Sequence, residues 1–332
     1  MKPHLVVVVG ATGTQGGSVV NSILKDPNFA VRGLSRNPES DAAKSLKAQG
    51  AEIVKADLND GSSLLKAFEG AYAIFAVTNF FEPAGNFGVE EARTIEYQQA
   101  INMVKAAKKT PTLQRYIWST LPNSSYLSKG KYNVHFFDIK SSVDDYIRQD
   151  EEFLAKTTFV YFANFASNMF YPNFLPIYVK SASKYIQMLP ADPEMPIWSM
   201  GDAKVNIGVF VRSVLRDTPK TGGTYVLCAV DKFTLQSYLA KWGEATGFAK
   251  EERSTAVIQI SLDNYRSLWP GNGDLMGEML GFWDLLRENS WVTPLGTKPM
   301  RAQALMTEDE QNELQSTAEG FRIAAAKFQK LV

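Results

Sequence analysis

Only one cysteine, Cys228, occurs in the 332 residues. An intrachain disulfide and a cysteine metal cluster are therefore excluded, and a reducing compartment is the simplest setting. Excess charge of either sign is also lacking, with 35 Lys plus Arg against 35 Asp plus Glu. A neutral chain has no net field to gather nucleic acid or an anionic membrane, so direct nucleic-acid binding is not expected. No clean apolar run of roughly 20 residues is present to cross a membrane. The stretch "FVYFANFASNMFYPNFLPIYV", 159–179, is interrupted by Asn164, Asn168, Pro172, Asn173 and Pro176, and reads as a buried strand followed by an aromatic loop. The opening MKPHLVVVV lacks both a long apolar h-region and a small-residue cleavage site, which leads to an expected cytosolic or nuclear location. Internal repeats and low-complexity tracts are missing too.

What is present is a chain with 45% apolar residues, enough for a substantial core. From residue 4 to about 162, short β-rich runs alternate with helix-period segments. Strands are predicted at 4–9, 29–34, 51–55, 72–76, 115–119 and 158–162, with helices near 15–25, 40–48, 61–68, 88–108 and 135–149. Repeated βα units without hairpin signals imply an α/β fold, a Rossmann-type doubly wound parallel sheet with helices on both faces. Residues 1–162 form that nucleotide domain. After residue 163 aromatic, proline-rich loops and short strands such as "GTYVLCAV" and "STAVIQIS" mix with helices. They predict a smaller mixed α/β domain over 163–332, with return segments rejoining the first. A capping box, Thr307 to Glu310, opens a predicted terminal helix over 307–330.

The run "VVVVGATGTQGG", 6–17, ends a strand, turns on glycines and opens a helix, the context in which glycine spacing acquires meaning. Bare backbone admits a pyrophosphate, and the free N–H groups of the helix start favour an anion. Gly10, Thr12, Gly13, Thr14, Gln15 and Gly16 are the candidate cradle. The second strand ends in Ser35, Arg36 and Asn37, without a carboxylate before Glu39. A carboxylate there would take the ribose 2′-hydroxyl, whereas Arg36 can take a 2′-phosphate, so NADP(H) is expected over NAD(H). A solvated arginine is the alternative reading.

In "HFFDIKSSVDDYIRQ", Phe136, Lys140, Val143 and Ile147 share one helical stripe. Lys140 is the single charge in an apolar line and needs a partner or a route to water. The glycine turn resembles the pattern of atypical short-chain dehydrogenases, whose Tyr-x-x-x-Lys pair on this helix transfers a proton and holds the cofactor ribose. Phe136 occupies the tyrosine position, and a phenyl ring carries no transferable proton. The remaining candidates for proton transfer are Lys140, Tyr132, His135 and Tyr126, with Ser119 matching the family's substrate-orienting serine. The same resemblance implies that Asp57 and Leu58 flank the adenine, although Asp57 could instead begin a helix cap. It also implies that Val77, Thr78 and Asn79 lie near the nicotinamide ribose.

The runs "RYIWSTLPNSS", "HFFDIKSSVDDYIRQ" and "TTFVYFANFASNMFY" are similar in order and spacing to the NmrA-like family, especially its fungal members. That resemblance implies NADP binding and a cleft between the two domains. Two functions stay open. One is an NADPH-dependent reductase of a small conjugated or carbonyl compound, the substrate held by Tyr161, Asn164, Phe165 and Asn168; those aromatics could equally fill the domain seam. The other is a non-catalytic NADP(H)-sensing regulator that binds a protein partner through 79–88 and 126–135. The intact Gly10, Gly13, Gly16 and Gly17 favour ordinary cofactor use. The segment "PGNGDLMGEMLGFWDLL", 270–286, with Met276 and Met279, suits either a homodimer contact or a lid over the cleft.

Overall fold

The computed structural model describes residues 2–216, 222–251 and 253–328. The first half alternates as predicted: β1 His4–Val8, α1 Thr14–Ile23, β2 Phe29–Ser35, α2 Asp41–Ala48, β3 Glu52–Lys55, α3 Gly61–Phe68 and β4 Ala73–Ala76. Then come α4 Phe81–Phe87, α5 Val89–Lys108, β5 Arg115–Thr120, α6 Ser124–Leu127, α7 His135–Arg148, α8 Glu151–Leu154 and β6 Thr157–Phe162. The second half holds β7 Asn164–Phe165, β8 Ile177–Val179, β9 Lys184–Leu189, β10 Pro196–Gly201, α9 Ala203–Arg216, β11 Thr224–Cys228 and β12 Asp231–Thr234. It closes with α10 Leu235–Thr246, β13 Thr255–Gln259, α11 Leu262–Leu268, α12 Gly273–Leu286, β14 Met300–Arg301, α13 Glu308–Glu313 and α14 Thr317–Phe328.

The main sheet has eight strands in the order β14-β11-β6-β5-β4-β1-β2-β3, every pairing parallel. Its central strands β4 and β6 are buried along their whole length because both faces are covered. Alternation assigns each residue to a face. Val7 and Val9 join Ile74, Trp118 and Tyr161 in one core, while Val6 and Val8 join Phe75, Ile117 and Phe162 in the other. The chain order reverses between β1 and β4, and a ligand crevice is expected beyond the strand ends at such a switch point.

The run "GTYVLCAV" does not stay in the smaller domain, because its strand β11 extends the main sheet beside β6, with β14 outside it. The helix α9 likewise returns to cover α1. The Gly208 amide donates to the Ser18 hydroxyl at 2.8 Å, and the missing side chain of Gly208 lets the two helix backbones approach. Two three-stranded sheets, β12-β10-β7 and β13-β9-β8, make up the smaller mixed part.

The predicted terminal helix is two helices. Its capping box forms as expected at Thr307 and Glu310, but the backbone of Gln315 is held on both sides by the Asn206 amide. The Thr317 amide donates to Asp231 at 2.9 Å and restarts the helix. Residues 329–330 of that prediction lie outside the described residues. Among the described residues no helix is long and apolar enough to cross a membrane.

Candidate functional site

Gly10, at the end of the strand run, takes a left-handed φ of +63°, a conformation that costs glycine little. The Gly13 amide then donates to the Gly10 carbonyl at 2.9 Å, and Gly13 precedes α1 as its N-cap, with no side chain capping the helix. A Cβ on Gly16 would collide with the Gly10 carbonyl and stand 2.7 Å from the Val9 carbonyl. These features fit a pyrophosphate resting on the helix start. Gly10, Thr12, Gly13, Thr14, Gln15 and Gly16 all line one continuous cleft of about 1370 Å³.

The second strand delivers Ser35 and Arg36 to the same cleft, and β3 delivers Asp57 and Leu58. Asp57 accepts from the Asn59 amide at 2.9 Å, while Asp60 caps α3. The capping role weighed for Asp57 thus belongs to Asp60. Segment 79–88, expected from sequence to be a partner surface, contains the short helix α4, and its Glu82 grips Arg36. That carboxylate raises the Arg36 pKa, with Asp57 adding to the effect.

Beyond β4, Val77, Thr78 and Asn79 line the cleft, as does Lys140. Phe136, Lys140, Val143 and Ile147 are all buried, as their stripe predicted. The partner that Lys140 required is Glu96 on α5, at 3.2 Å and wholly buried. The ammonium also donates to the Thr78 hydroxyl at 2.7 Å and the Thr78 carbonyl at 3.3 Å, and it lies over the Trp118 ring. Thr78 in turn donates to Glu96 at 2.6 Å. Two hydrogen bonds to Thr78 and the ion pair with Glu96 thus hold the Lys140 ammonium. Ser119 is in the cleft with its hydroxyl donating to Gln15 at 2.9 Å.

At the far end the cleft is bounded by Phe162, Asn164, Phe165, Asn168, Met276, Met279, Trp283 and Trp291. Asn168 donates to Asn164, which donates to the Tyr238 hydroxyl. The charged residues lining the described cleft are Arg36, Asp57, Glu82 and Lys140, so this end is neutral apart from Lys140. Helix α12 forms part of the wall.

Four candidates lie elsewhere, and of these Tyr126, on α6, is exposed and does not line the cleft. Tyr161 is still on β6, one residue before its end, and its ring packs against Tyr225 and Trp291 beneath the cleft wall. The cleft is reached from the last strand residue, Phe162, onward. Tyr132 is clasped against Gly281 of α12, and burial, reinforced by Glu278, raises its phenol pKa. His135 opens α7, a helical rotation away from the Lys140 stripe, and its half-buried ring does not line the cleft.

One turn beyond Lys140, Asp144 is wholly buried. It accepts from Trp118 Nε1 at 2.9 Å, from the Tyr225 hydroxyl at 3.2 Å and from Thr120. Burial outweighs these donors and holds its carboxyl well above the usual range. The unfolded chain ionises first, near pH 3.9, so the stability contributed by the neutral acid is full below that pH and is lost as pH rises toward the folded value. Asp144→Asn should therefore gain on the wild type as pH rises above about 4, by up to about 1.4 kcal/mol per pH unit for as long as the folded carboxyl stays protonated. Urea unfolding at pH 5 and pH 8 measures the gap, and a constant gap would show that Asp144 is not held neutral.

Sequence reasoning missed Glu96, Glu82, Trp283 and Trp291. Glu96 left a signal, since Ala92, Glu96, Ala100 and Met103 follow helical spacing and are all buried. The others come from segments distant in sequence.

Residues 2–268 match the NmrA-like family. An NmrA-like family domain-containing oxidoreductase of Aspergillus hancockii is 30% identical over 257 residues, covering 74% of this chain and 73% of the relative. An NmrA-like family domain-containing protein of Dictyostelium discoideum is 33% identical over 228 residues, 67% of this chain and 70% of its own. Among solved structures, the negative transcriptional regulator NmrA in complex with NAD superposes with a TM-score of 0.73 at 20% identity, covering 100% of this chain and 98% of the other. NmrA has also been solved with NADP.

Proposed function

The chain belongs to the NmrA-like family, and from that premise we propose that it is an NADPH-dependent reductase of a small, uncharged, conjugated or carbonyl compound. The observation that carries this reading is the size and lining of the cleft. Ordinary ligand sites occupy about 300–1,000 Å³, and the cleft here, about 1370 Å³, runs from the glycine cradle to a neutral chamber of Asn, Met and Trp side chains. That leaves room for a second, flat molecule beside a dinucleotide. The oxidoreductase name of the Aspergillus relative supports the same class.

The amides at the start of α1 would hold the pyrophosphate, Arg36 the 2′-phosphate, and Val77 to Asn79 the nicotinamide ribose. NADPH, when bound, supplies the hydride. Lys140 lies on the cleft floor as an ion pair with Glu96, so what it offers a reduced substrate is the field of its N–H groups and not a net positive charge. Its protons are engaged by Thr78 and Glu96, so its contribution is electrostatic first, with proton delivery requiring one of those bonds to open. Asn164 and Asn168 orient the substrate between Phe165 and the tryptophans.

A second reading rests on α4. Phe81 and Phe87 are exposed at the cleft mouth, a surface suited to a protein partner of an NADP(H)-sensing regulator in the cytosol or nucleus. Incubation with NADPH and a panel of enones, quinones, imines and aldehydes, followed by loss of nicotinamide absorbance, separates the two. Turnover of at least one compound, lost in Lys140→Ala, is the expected result. Silence across the panel, with NADP(H) binding intact, decides for the regulator.

A further inference from the structure

Arg36 is already engaged on the cleft wall. Its Nη1 donates to Glu82 Oε1 at 2.6 Å and its Nη2 to Oε2 at 3.0 Å, a two-toothed pair across 46 positions of sequence. Glu82 lies in the first turn of α4, and both side chains line the cleft. The neighbouring Phe81 ring lies 5.1 Å from Phe136 of α7. Helix α4 is thus tied at one point to the end of β2 and at the other to α7, as a strap along the cleft.

A 2′-phosphate recognises a guanidinium through the same paired N–H fork that Glu82 occupies. A bare 2′-hydroxyl makes no such demand. The Arg36 and Glu82 side chains are 66% and 43% exposed, so the pair is worth little and a dianion can displace it. We infer that Glu82 is a nucleotide-specificity residue: it competes with the 2′-phosphate for Arg36, so that α4 stays latched with NAD(H) and is released by NADP(H). The inference rests on the reading of Arg36 as the 2′-phosphate ligand.

Calorimetric titration of NADP+ and NAD+ into the wild type and into Arg36→Ala, Glu82→Ala and Glu82→Gln tests both levels. Arg36→Ala should weaken NADP+ about tenfold or more, the loss of paired charge-assisted bonds, and leave NAD+ unchanged. If it does not, the premise fails and this inference with it. Given that loss, both Glu82 variants should bind NADP+ about threefold more tightly at low ionic strength, in keeping with an exposed pair, with NAD+ unchanged. Any other pattern in the two Glu82 variants overturns the competition while leaving Arg36 in place. Hydrogen exchange of amides 81–87 gives an independent readout: in the wild type it should be faster with NADP+ than with NAD+, and equal in Glu82→Ala. Equal exchange with the two nucleotides in the wild type overturns the latch.

Discussion

Gly16→Ala is expected to weaken dinucleotide binding by about 100-fold or more. The added methyl would strike the Gly10 carbonyl and crowd the Val9 carbonyl at 2.7 Å. Both obstacles are backbone, so no rotamer change relieves the clash. The turn must open, and the amides at the start of α1 move off the pyrophosphate. Losing two bonds to a charged group, at about 1.5–3 kcal/mol each, gives a change of that order. Gly61→Ala is the matched control, since it opens α3 with nothing within 4 Å of the added atom, and it should bind as the wild type does. Titration calorimetry on both proteins checks the result. Affinity within threefold of wild type in Gly16→Ala would remove the glycine turn as the nucleotide cradle.

The second large effect concerns the pair beneath the cleft. Glu96→Gln should destabilise the fold by about 3 kcal/mol, because it leaves the Lys140 ammonium buried without a countercharge. Glu96 is wholly buried and Lys140 only 8% exposed on the cleft floor, so water replaces the lost partner poorly. The reverse change, Lys140→Met, strands the carboxylate at similar cost. Combining them removes both charges, and the double variant should recover much of the loss, with a coupling of about 2 kcal/mol or more. Urea unfolding of the four proteins measures the cycle. Strictly additive losses would mean that the two groups do not sense each other.

The first half of the fold was legible because its signals are local. Val6 to Val9, the glycines after them and the Phe136 to Ile147 stripe each declare themselves within a dozen residues, and the structure places them in β1, the turn and α7. Lys140 was found as a charge in an apolar line, and the same test applied to Ala92, Glu96, Ala100 and Met103 would have found its partner. The grip of Glu82 on Arg36 was not legible, since nothing near either residue specifies an arginine 46 positions away. Strand β11 was assigned to the smaller part for a related reason: "TYVLC" suits a strand of any sheet, and only its parallel pairing with β6 decides which. Tyr161 was placed in the cleft from composition, whereas strand alternation turns it under the wall.

The return of α9 and β11 to the first half bears on how the chain is made. During synthesis the strand order up to β6 emerges first, yet the face of α1 at Ser18 and Ser22 stays uncovered until Gly208 and the rest of α9 are out. The first half of the chain is therefore not an excisable module. A nascent polypeptide cut short after β6 would present that bare helix face to the chaperones that attend the ribosome.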